Sequence, residues 1–276
     1  MGGLINLHEH CFLLSYLMAE LDHTLPDTSG TDYTWPNASD WLKIAAGVGN
    51  VEIDTLRFDD CPFCPTEYED KRSELLTQMV TRLTTFNFVW GAFETVIKII
   101  DPDDVPRNIK PRSSVIDNAI YYLKNEFDLS PRIPLYYDTL AQFRLVLLSD
   151  SLYKKYVKEF KIDSFMSISG LGVHIVRKIR NSFAHGSTTL PEPDDWDSKA
   201  ILSSELRHLD LIEISSRLIL FSIQMMLTAK FKNNDFKVEC LRDVKGRLYV
   251  EDISVVLRVL HRDDYRFNPK QLRLFN

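Results

Sequence analysis

The segment Arg177–Gly186 combines the side chains needed for acid–base chemistry on a phosphate group. His185 can give or take a proton near neutral pH, and Arg180 keeps its charge and binds phosphate oxygens through its fork of donors. Asn181 adds a neutral amide that can orient either group. Together these residues suit attack of a ribose 2′-OH on the adjacent phosphodiester. That reaction needs a base, an acid and charge stabilisation, but no metal and no cofactor.

Helical periodicity predicts that this segment ends a helix over Asp163–Ala184, with Gly186 as its C-terminal cap. At 100° per residue, four polar residues share one outward stripe: His174, Lys178, Asn181 and His185. Arg180 and His185 lie about 140° apart on an ideal helix, so they do not converge in a single copy. Two copies facing each other across a two-fold axis would place both pairs around one groove. The sequence therefore predicts a homodimer.

The distribution of charge points to the same part of the chain. The net charge is −6, and residues 1–72 hold thirteen acidic against four basic residues, whereas residues 151–186 hold seven basic against two. A cationic window in an acidic protein is typical of an anion-binding surface. We therefore expect five side chains to contact an RNA backbone: His174, Arg177, Lys178, Lys154 and Lys155. A solvated helix face, or cations that complement the dipole at the end of a helix, would give the same pattern.

The residues Arg180-Asn181-Ser182-Phe183-Ala184-His185-Gly186 resemble the R-N-x-x-x-H signature of the HEPN superfamily, with the Apea-like HEPN branch the most similar. The resemblance implies a helical bundle and a metal-independent endoribonuclease that cleaves RNA at a homodimer interface. Arg180 and His185 would be catalytic and Asn181 supporting. It also implies a role in antiviral defence, abortive infection or toxin-type growth arrest, with a regulatory protein or antitoxin as a partner. The tyrosine that some of these toxins carry two residues after the histidine is Ser187 here.

The fold class predicted for the whole chain is mainly α, an antiparallel HEPN-like helical bundle over residues 73–232. An acidic and irregular N-terminal extension is predicted to precede it at residues 1–72. Three stretches of this extension have local patterns: Leu4–Leu21 has helical spacing, Ser39-Asp40 can cap a short helix through Ala46, and Val51–Phe58 alternates weakly like a strand. Residues 233–276 are predicted to form a β-hairpin with its turn at Gly246, then a tail. The predicted bundle helices are Glu74–Ile100, Ser113–Phe127, Tyr137–Phe160, Asp163–Ala184 and Lys199–Phe231, the last of them central. In Tyr137–Phe160, Ser149-Asp150 is a candidate break.

Two further sites are open to a functional and a structural interpretation. Glu94, inside the first long helix, could hold Arg180 or His185 in place, or it could simply be exposed. Cys61-Pro62-Phe63-Cys64 could be half of a zinc site completed by His8, His10 or Cys11. Because there is no second Cys-x-x-Cys, a pair of reduced thiols in a tight turn is the better interpretation, and no metal site is predicted.

Composition excludes several classes of protein. The chain has 276 residues, 45% apolar and 26% charged, which is ordinary for a globular protein. Its longest apolar run, Leu218–Met226, is interrupted by Ser222 and Gln224, and the N-terminus has no basic segment before its apolar stretch. We therefore expect a cytoplasmic protein with no membrane contact. The alternative to an enzyme is a non-catalytic helical module that binds RNA, a nucleotide or a protein partner through the same stripe.

Overall fold

The computed structural model describes residues 3–24, 33–54, 66–127, 132–149, 152–186, 202–233, 236–241 and 248–264. The chain is mainly helical, with a small antiparallel sheet of two strands. In chain order the α-helices and strands are α1 (Leu7–Thr24), α2 (Trp35–Gly47), α3 (Thr66–Ile100), α4 (Val115–Tyr122), α5 (Tyr136–Ser149), α6 (Ile168–Ala184), α7 (Leu202–Lys230), β1 (Lys237–Leu241), β2 (Leu248–Asp252) and α8 (Ile253–Val259). A π-helical turn (Leu123–Phe127) extends α4, and a 3₁₀ helix (Lys154–Glu159) lies between α5 and α6.

The core is organised around α7, as the sequence predicts. This helix packs against α1, α3, α5, α6 and α8. From Leu211 to Ala229 every side chain except that of Glu213 is buried, so the polar residues of this stretch need partners inside the molecule. The hydroxyls of Ser216, Ser222 and Thr228 donate to the carbonyl oxygens four residues earlier. These internal bonds let a helix with regularly spaced hydroxyl groups occupy the centre of an apolar core.

Within the described residues, two helices have the length and composition of a membrane span, although neither is an unbroken apolar run. The stretches are Tyr68–Ile100 in α3 and Leu209–Lys230 in α7. Within the most apolar window, 94% of the residues in α7 and 56% of those in α3 are buried inside the molecule. Packing against other helices therefore accounts for most of the apolar composition of α7.

The N-terminal region is not the irregular extension that the sequence predicts. Helices α1 and α2 pack against each other, α2 packs against α3 and α1 against α7. Leu14, Leu17 and Leu42 are fully buried and belong to the same hydrophobic core as the helices of the bundle. The N-terminus of α2 is also earlier than predicted. A capping box between Thr34 and Asn37 forms its first turn, so Ser39 lies inside the helix rather than at its cap.

The predicted strand over Val51–Phe58 does not form in the part of it that the structure describes, residues 51–54. The backbone N–H groups of Val51 and Ile53 donate to the hydroxyls of Thr81 and Thr77 on α3, at 2.9 and 3.0 Å. The alternation in the sequence therefore reflects an extended segment. It pairs with hydroxyls one helical turn apart and not with another strand.

The C-terminal region contains the predicted hairpin. Strands β1 and β2 are antiparallel, with Lys237 opposite Asp252 and Leu241 opposite Leu248. The predicted turn at Gly246 lies outside the described residues. Helix α8 follows β2 directly and packs against α7, so the hairpin is connected to the core through this short helix.

A chain of buried polar groups joins the two ends of the described chain. Arg217 Nη1 donates to His10 Nδ1 at 2.9 Å, so His10 carries its proton on Nε2, which donates to Gln224 Oε1 at 2.7 Å. Gln224 Nε2 donates to Leu257 O and to His261 Nδ1, and His261 Nε2 donates to Pro134 O at 3.0 Å. Both histidines are therefore neutral, and every ring nitrogen has a partner.

Burial sets the charge state of this polar chain. Desolvation, helped by the nearby Arg217 charge, lowers the pKa of His10 well below its usual value. Desolvation also lowers the pKa of His261 to about 4 and that of Arg217 to about 10. The neighbouring Cys11 thiol has its pKa raised to about 12 by burial. Only Arg217 carries a charge at neutral pH.

Candidate functional site

The end of α6 places the signature residues. The helix ends at Ala184, and the N–H of His185 bonds to Asn181 O at 3.0 Å. Gly186 follows with φ +62° in the left-handed region, and its N–H bonds to Phe183 O, which confirms the predicted cap. Because the helix ends at the surface, the side chains of Asn181 and His185 are exposed. No described residue forms a hydrogen bond with either side chain.

Arg180 is held by an aromatic ring. Its side chain is half-buried, and the guanidinium carbon lies 5.7 Å from the centroid of the Trp90 ring on α3. A cation over an indole face is attracted to the ring electrons. Trp90 is itself fixed, because its Nε1 donates to Glu94 Oε1 at 2.6 Å. Glu94 therefore acts on Arg180 indirectly, through the tryptophan.

Two of the predicted RNA-binding side chains share one carboxylate. Glu159, at the end of the 3₁₀ helix, accepts a hydrogen bond from Lys178 Nζ at 2.6 Å and lies 3.6 Å from His174 Nε2. The Lys178 bond is the main cause of the lowered pKa of Glu159. Desolvation and the charges of Lys178 and Arg177 lower the pKa of His174. In this structure Lys178 and His174 join α6 to the 3₁₀ helix.

Arg177 also binds groups of the protein itself. Its Nη1 donates to Asp117 Oδ1 at 2.9 Å and to Ser114 Oγ at 3.1 Å, at the N-terminus of α4. Lys110 Nζ lies 2.6 Å from the same Asp117 oxygen. Burial alone would raise the pKa of Asp117, but the hydrogen bonds from Lys110 and Ser114 and the Arg177 charge bring it to about 2. The carboxylate is thus ionised, capping α4 and pairing with two cations.

Lys154 and Lys155 lie apart from the signature, at the start of the 3₁₀ helix. Both are exposed, and Lys155 Nζ lies 5.1 Å from the centroid of the Tyr156 ring. Among the described residues neither lysine forms an ion pair. The structure therefore leaves these two cations open to solvent, in contrast to Lys178 and Arg177.

The partners of the basic residues were missed by the sequence reasoning. Trp90, Glu159 and Asp117 are distant from residues 174–185 in the chain and have no shared motif. One part of this arrangement is visible in the sequence. Ser114 and Asp117 have the spacing of a capping box, and both side chains form that box at the N-terminus of α4. That the same aspartate also binds Arg177 depends on the packing of α4 against α6.

The close packing of α4 against α6 depends on a glycine. A Cβ at Gly170 would lie 2.7 Å from Ile120 Cγ2 and 3.3 Å from Ile120 O. The first distance is shorter than real Cβ contacts, so a side chain at position 170 would force Ile120 or one of the two helices to shift. Since Arg177 reaches Asp117 from the same helix, this contact also sets the position of α6 relative to α4.

The residues considered as zinc ligands are divided between the part of the chain that the structure describes and the rest. Cys61 and Cys64 lie outside the described residues. On α1, both ring nitrogens of His10 are bonded to protein groups, and His8 Nδ1 lies 3.1 Å from Ala45 O. Over the described ranges, no group of three or more His, Cys, Asp or Glu side chains is placed to hold a metal ion.

Comparisons with models of known families, with curated proteins and with solved structures find no match to this chain.

The chemistry available at the end of α6 follows from its geometry. An exposed imidazole can exchange protons with a bound ligand, and an exposed amide can donate to it. The Arg180 guanidinium lies over the Trp90 ring, and an arginine keeps its charge. Within the described residues, the end of α6 supplies one exposed imidazole, that of His185.

Proposed function

We propose that the protein is a metal-independent endoribonuclease that works as a homodimer and needs no cofactor. The observation that supports this function is the arrangement at the end of α6. Asn181 and His185 are exposed there, and Arg180, in the same last turns of α6, lies with its guanidinium over the Trp90 ring. The neighbouring cations of α6 bind carboxylates of the protein, whereas these three side chains form no bond to a described carboxylate. The likeness of this segment to the HEPN signature gives the same assignment.

The proposed reaction is an internal transesterification of RNA. His185 of one copy removes the proton of a ribose 2′-OH, and the 2′ oxygen attacks the adjacent phosphorus. His185 of the other copy donates a proton to the leaving 5′ oxygen. Arg180 stabilises the charge of the pentacoordinate phosphate, and Asn181 orients or binds it. The products carry a 2′,3′-cyclic phosphate and a 5′-OH.

The proposed setting is antiviral defence or growth arrest in the cytoplasm. An RNase of low specificity is useful mainly when it is switched, which is why a regulatory protein or antitoxin is a natural partner. This part of the proposal rests on the HEPN resemblance alone.

The test is cleavage of a mixed RNA pool by the purified full-length protein in EDTA. We expect the wild type to cut and His185→Ala to lose roughly 10²- to 10⁴-fold in rate, as is usual for removal of a general acid or base. Arg180→Ala should lose activity as well. Arg132→Ala is the matched control, because Arg132 is exposed and its guanidinium carbon lies 5.1 Å from the Tyr137 ring centroid. Equal cutting by wild type and His185→Ala would refute the proposal.

One observation favours the alternative, a non-catalytic binding module. Lys178, His174 and Arg177 bind Glu159 and Asp117, so much of the basic window stabilises the fold and is not free for substrate. A module would bind RNA, a nucleotide or a protein partner through Asn181 and His185 without cutting. RNA binding by the wild type that is weakened in His185→Ala, with no cleavage by either protein, would support it.

A further inference from the structure

Helix α5 and the 3₁₀ helix carry or border four large apolar side chains that the core does not cover. On α5, Leu145 is 66% exposed and Leu148 is 42% exposed. Leu152 lies just before the 3₁₀ helix and is 44% exposed, and Ile162 lies just after it and is 60% exposed. Single exposed leucines are common on protein surfaces, but four such side chains on neighbouring elements are typical of a contact surface.

The two exposed leucines of α5 lie on the side of the helix that points away from the core. Phe143 and Leu147 are buried against the rest of the bundle. At 100° per residue, Leu145 lies about 160° from both of them. Leu148 lies about 140° from Phe143. These leucines therefore protrude from the surface and do not line a groove.

The 3₁₀ helix packs against α5, so the exposed residues of the two elements border one surface. Phe160, at the end of the 3₁₀ helix, has its ring centroid 6.5 Å from that of Phe143 and 5.9 Å from the Arg144 guanidinium carbon. Leu148 is one turn beyond Arg144 on α5, about 40° away around the helix. Leu148 therefore lies towards the 3₁₀ helix, and Ile162 follows Phe160 by two residues.

Exposed cations surround these apolar side chains. Five basic residues of the two elements are exposed and have no carboxylate partner among the described residues: Arg144, Lys154, Lys155, Lys158 and Lys161. The carboxylate of Glu159 already pairs with Lys178. Two exposed carboxylates lie nearby, those of Asp138 and Asp163. We call the four apolar and five basic side chains the basic apolar patch, and its surroundings keep an excess of positive charge in a protein of net charge −6.

This combination of groups fits an anionic bilayer better than a nucleic acid or a protein helix. A phosphate backbone would bind the lysines but would leave the leucines in water. A partner helix normally lies in a groove, and leucine is under-represented at the hot spots of protein interfaces. A bilayer surface accommodates both kinds of side chain, because apolar groups enter the head-group boundary while the cations stay beside the lipid phosphates.

We propose that the basic apolar patch binds the surface of an anionic phospholipid bilayer. Leu145 and Leu148 enter the head-group boundary, and the lysines of the 3₁₀ helix pair with the lipid phosphates by charge complementarity. All of these side chains are already exposed, so binding requires no unfolding. The contact is peripheral and needs neither a spanning helix nor a signal peptide, the two features whose absence from the sequence led us to expect no membrane contact. The inference does not rest on the proposed function, so RNA cleavage is not its readout.

The first test is co-sedimentation of the full-length protein with lipid vesicles. We expect binding to vesicles of phosphatidylcholine mixed with phosphatidylserine, and little binding to vesicles of phosphatidylcholine alone. High salt should release the protein, because it screens the attraction between the lysines and the anionic lipid. Absence of binding to the mixed vesicles, or equal binding to both kinds, would overturn the proposal.

The second test separates the cationic from the apolar contribution. Lys154→Gln should weaken binding to the mixed vesicles about fivefold, the usual contribution of one lysine at an anionic surface. Leu145→Ser should weaken it roughly tenfold through the lost apolar contact. The matched controls are Lys43→Gln and Ile44→Ser, which change exposed residues of α2 and should leave binding unchanged. Circular dichroism of every variant checks that it is folded.

Two results of the second test would contradict the proposal. If Lys154→Gln and Leu145→Ser bind the mixed vesicles as tightly as their controls, the patch is not the contact. The same variants are also titrated with a single-stranded RNA oligonucleotide. If the wild type binds this RNA and not the vesicles, and Lys154→Gln alone weakens the RNA complex, the patch is a nucleic-acid surface.

The third test measures insertion directly. A tryptophan introduced by Leu145→Trp should be quenched by lipids with brominated acyl chains, because position 145 enters the head-group boundary. The control Ile44→Trp should show no more quenching than the wild type, whose own tryptophans give the background. Equal quenching of the two variants would place α5 outside the bilayer and would overturn the proposal.

Discussion

Acid should weaken the fold through the buried chain of His10, Gln224 and His261. If His261 is protonated, its Nδ1 becomes a donor facing the Gln224 N–H groups, and if His10 is protonated, its Nδ1 faces Arg217. Neither new proton has an acceptor in the structure. The folded protein therefore resists protonation that the unfolded chain accepts, and the free energy of unfolding falls as the pH is lowered.

The size of the effect follows from the pKa of His261, about 4 in the folded protein against 6.5 for an ordinary histidine. This contribution to stability is complete above pH 6.5 and is lost progressively as the pH falls towards 4. Between pH 7 and pH 5 the loss is about 2 kcal/mol from His261 alone. His10 acts in the same direction, because its pKa is also lowered.

The assay is urea unfolding at pH 7 and pH 5 for the wild type and for His261→Gln. Glutamine keeps a donor and an acceptor but does not titrate, so the variant should be less stable at pH 7 and should lose about 2 kcal/mol less on acidification. The His261 ring protons in an NMR titration should report a pKa near 4. The reasoning is refuted if this ring titrates near 6.5, or if both proteins lose the same stability.

Three other predictions concern the helices that hold the candidate site. Asp117→Asn removes a carboxylate that pairs with Arg177 and should cost about 2 kcal/mol of unfolding free energy in urea melts; an unchanged midpoint would contradict the ion pair. Gly170→Ala should cost about 1–3 kcal/mol by overpacking. The control Gly47→Ala, with no atom within 4 Å of the new Cβ, should not. Gly186→Ala should cost about 1 kcal/mol in thermal melts, because of its left-handed backbone; no change would place that residue outside the left-handed region.

The helices of the bundle could be predicted from the sequence because their apolar spacing extends over many turns. The long α3 and α7 were found with the correct type, although α3 begins at Thr66, eight residues before the predicted Glu74, and the break between α5 and the 3₁₀ helix was also found. The cap at Gly186 followed from local backbone chemistry. These features depend on residues near one another in the chain.

The features that were missed depend on residues that are far apart in the chain. The position of α1 in the core depends on contacts with α2 and α7. Because residues 1–72 are acidic overall, they were predicted as an extension outside the core, although the leucines of α1 are buried. The extended residues 51–54 bond to threonines of α3, which periodicity alone cannot show. In the same way the basic residues of α6 were predicted to form one open surface. In the structure Glu159 and Asp117, which belong to other elements, bind His174, Lys178 and Arg177.

The buried chain of polar groups also constrains the synthesis of the protein. The hydrogen bond of His10 Nδ1 can form only after Arg217, 207 residues later in the chain, has been synthesised. A ribosome that adds 5–20 residues per second needs roughly 10 to 40 s to cover that separation. During this interval the nascent N-terminal helix presents leucines and an unmatched imidazole to the cell. We expect α1 to be contacted by chaperones on translating ribosomes and to be released once α7 emerges, which crosslinking to stalled nascent chains of increasing length would measure.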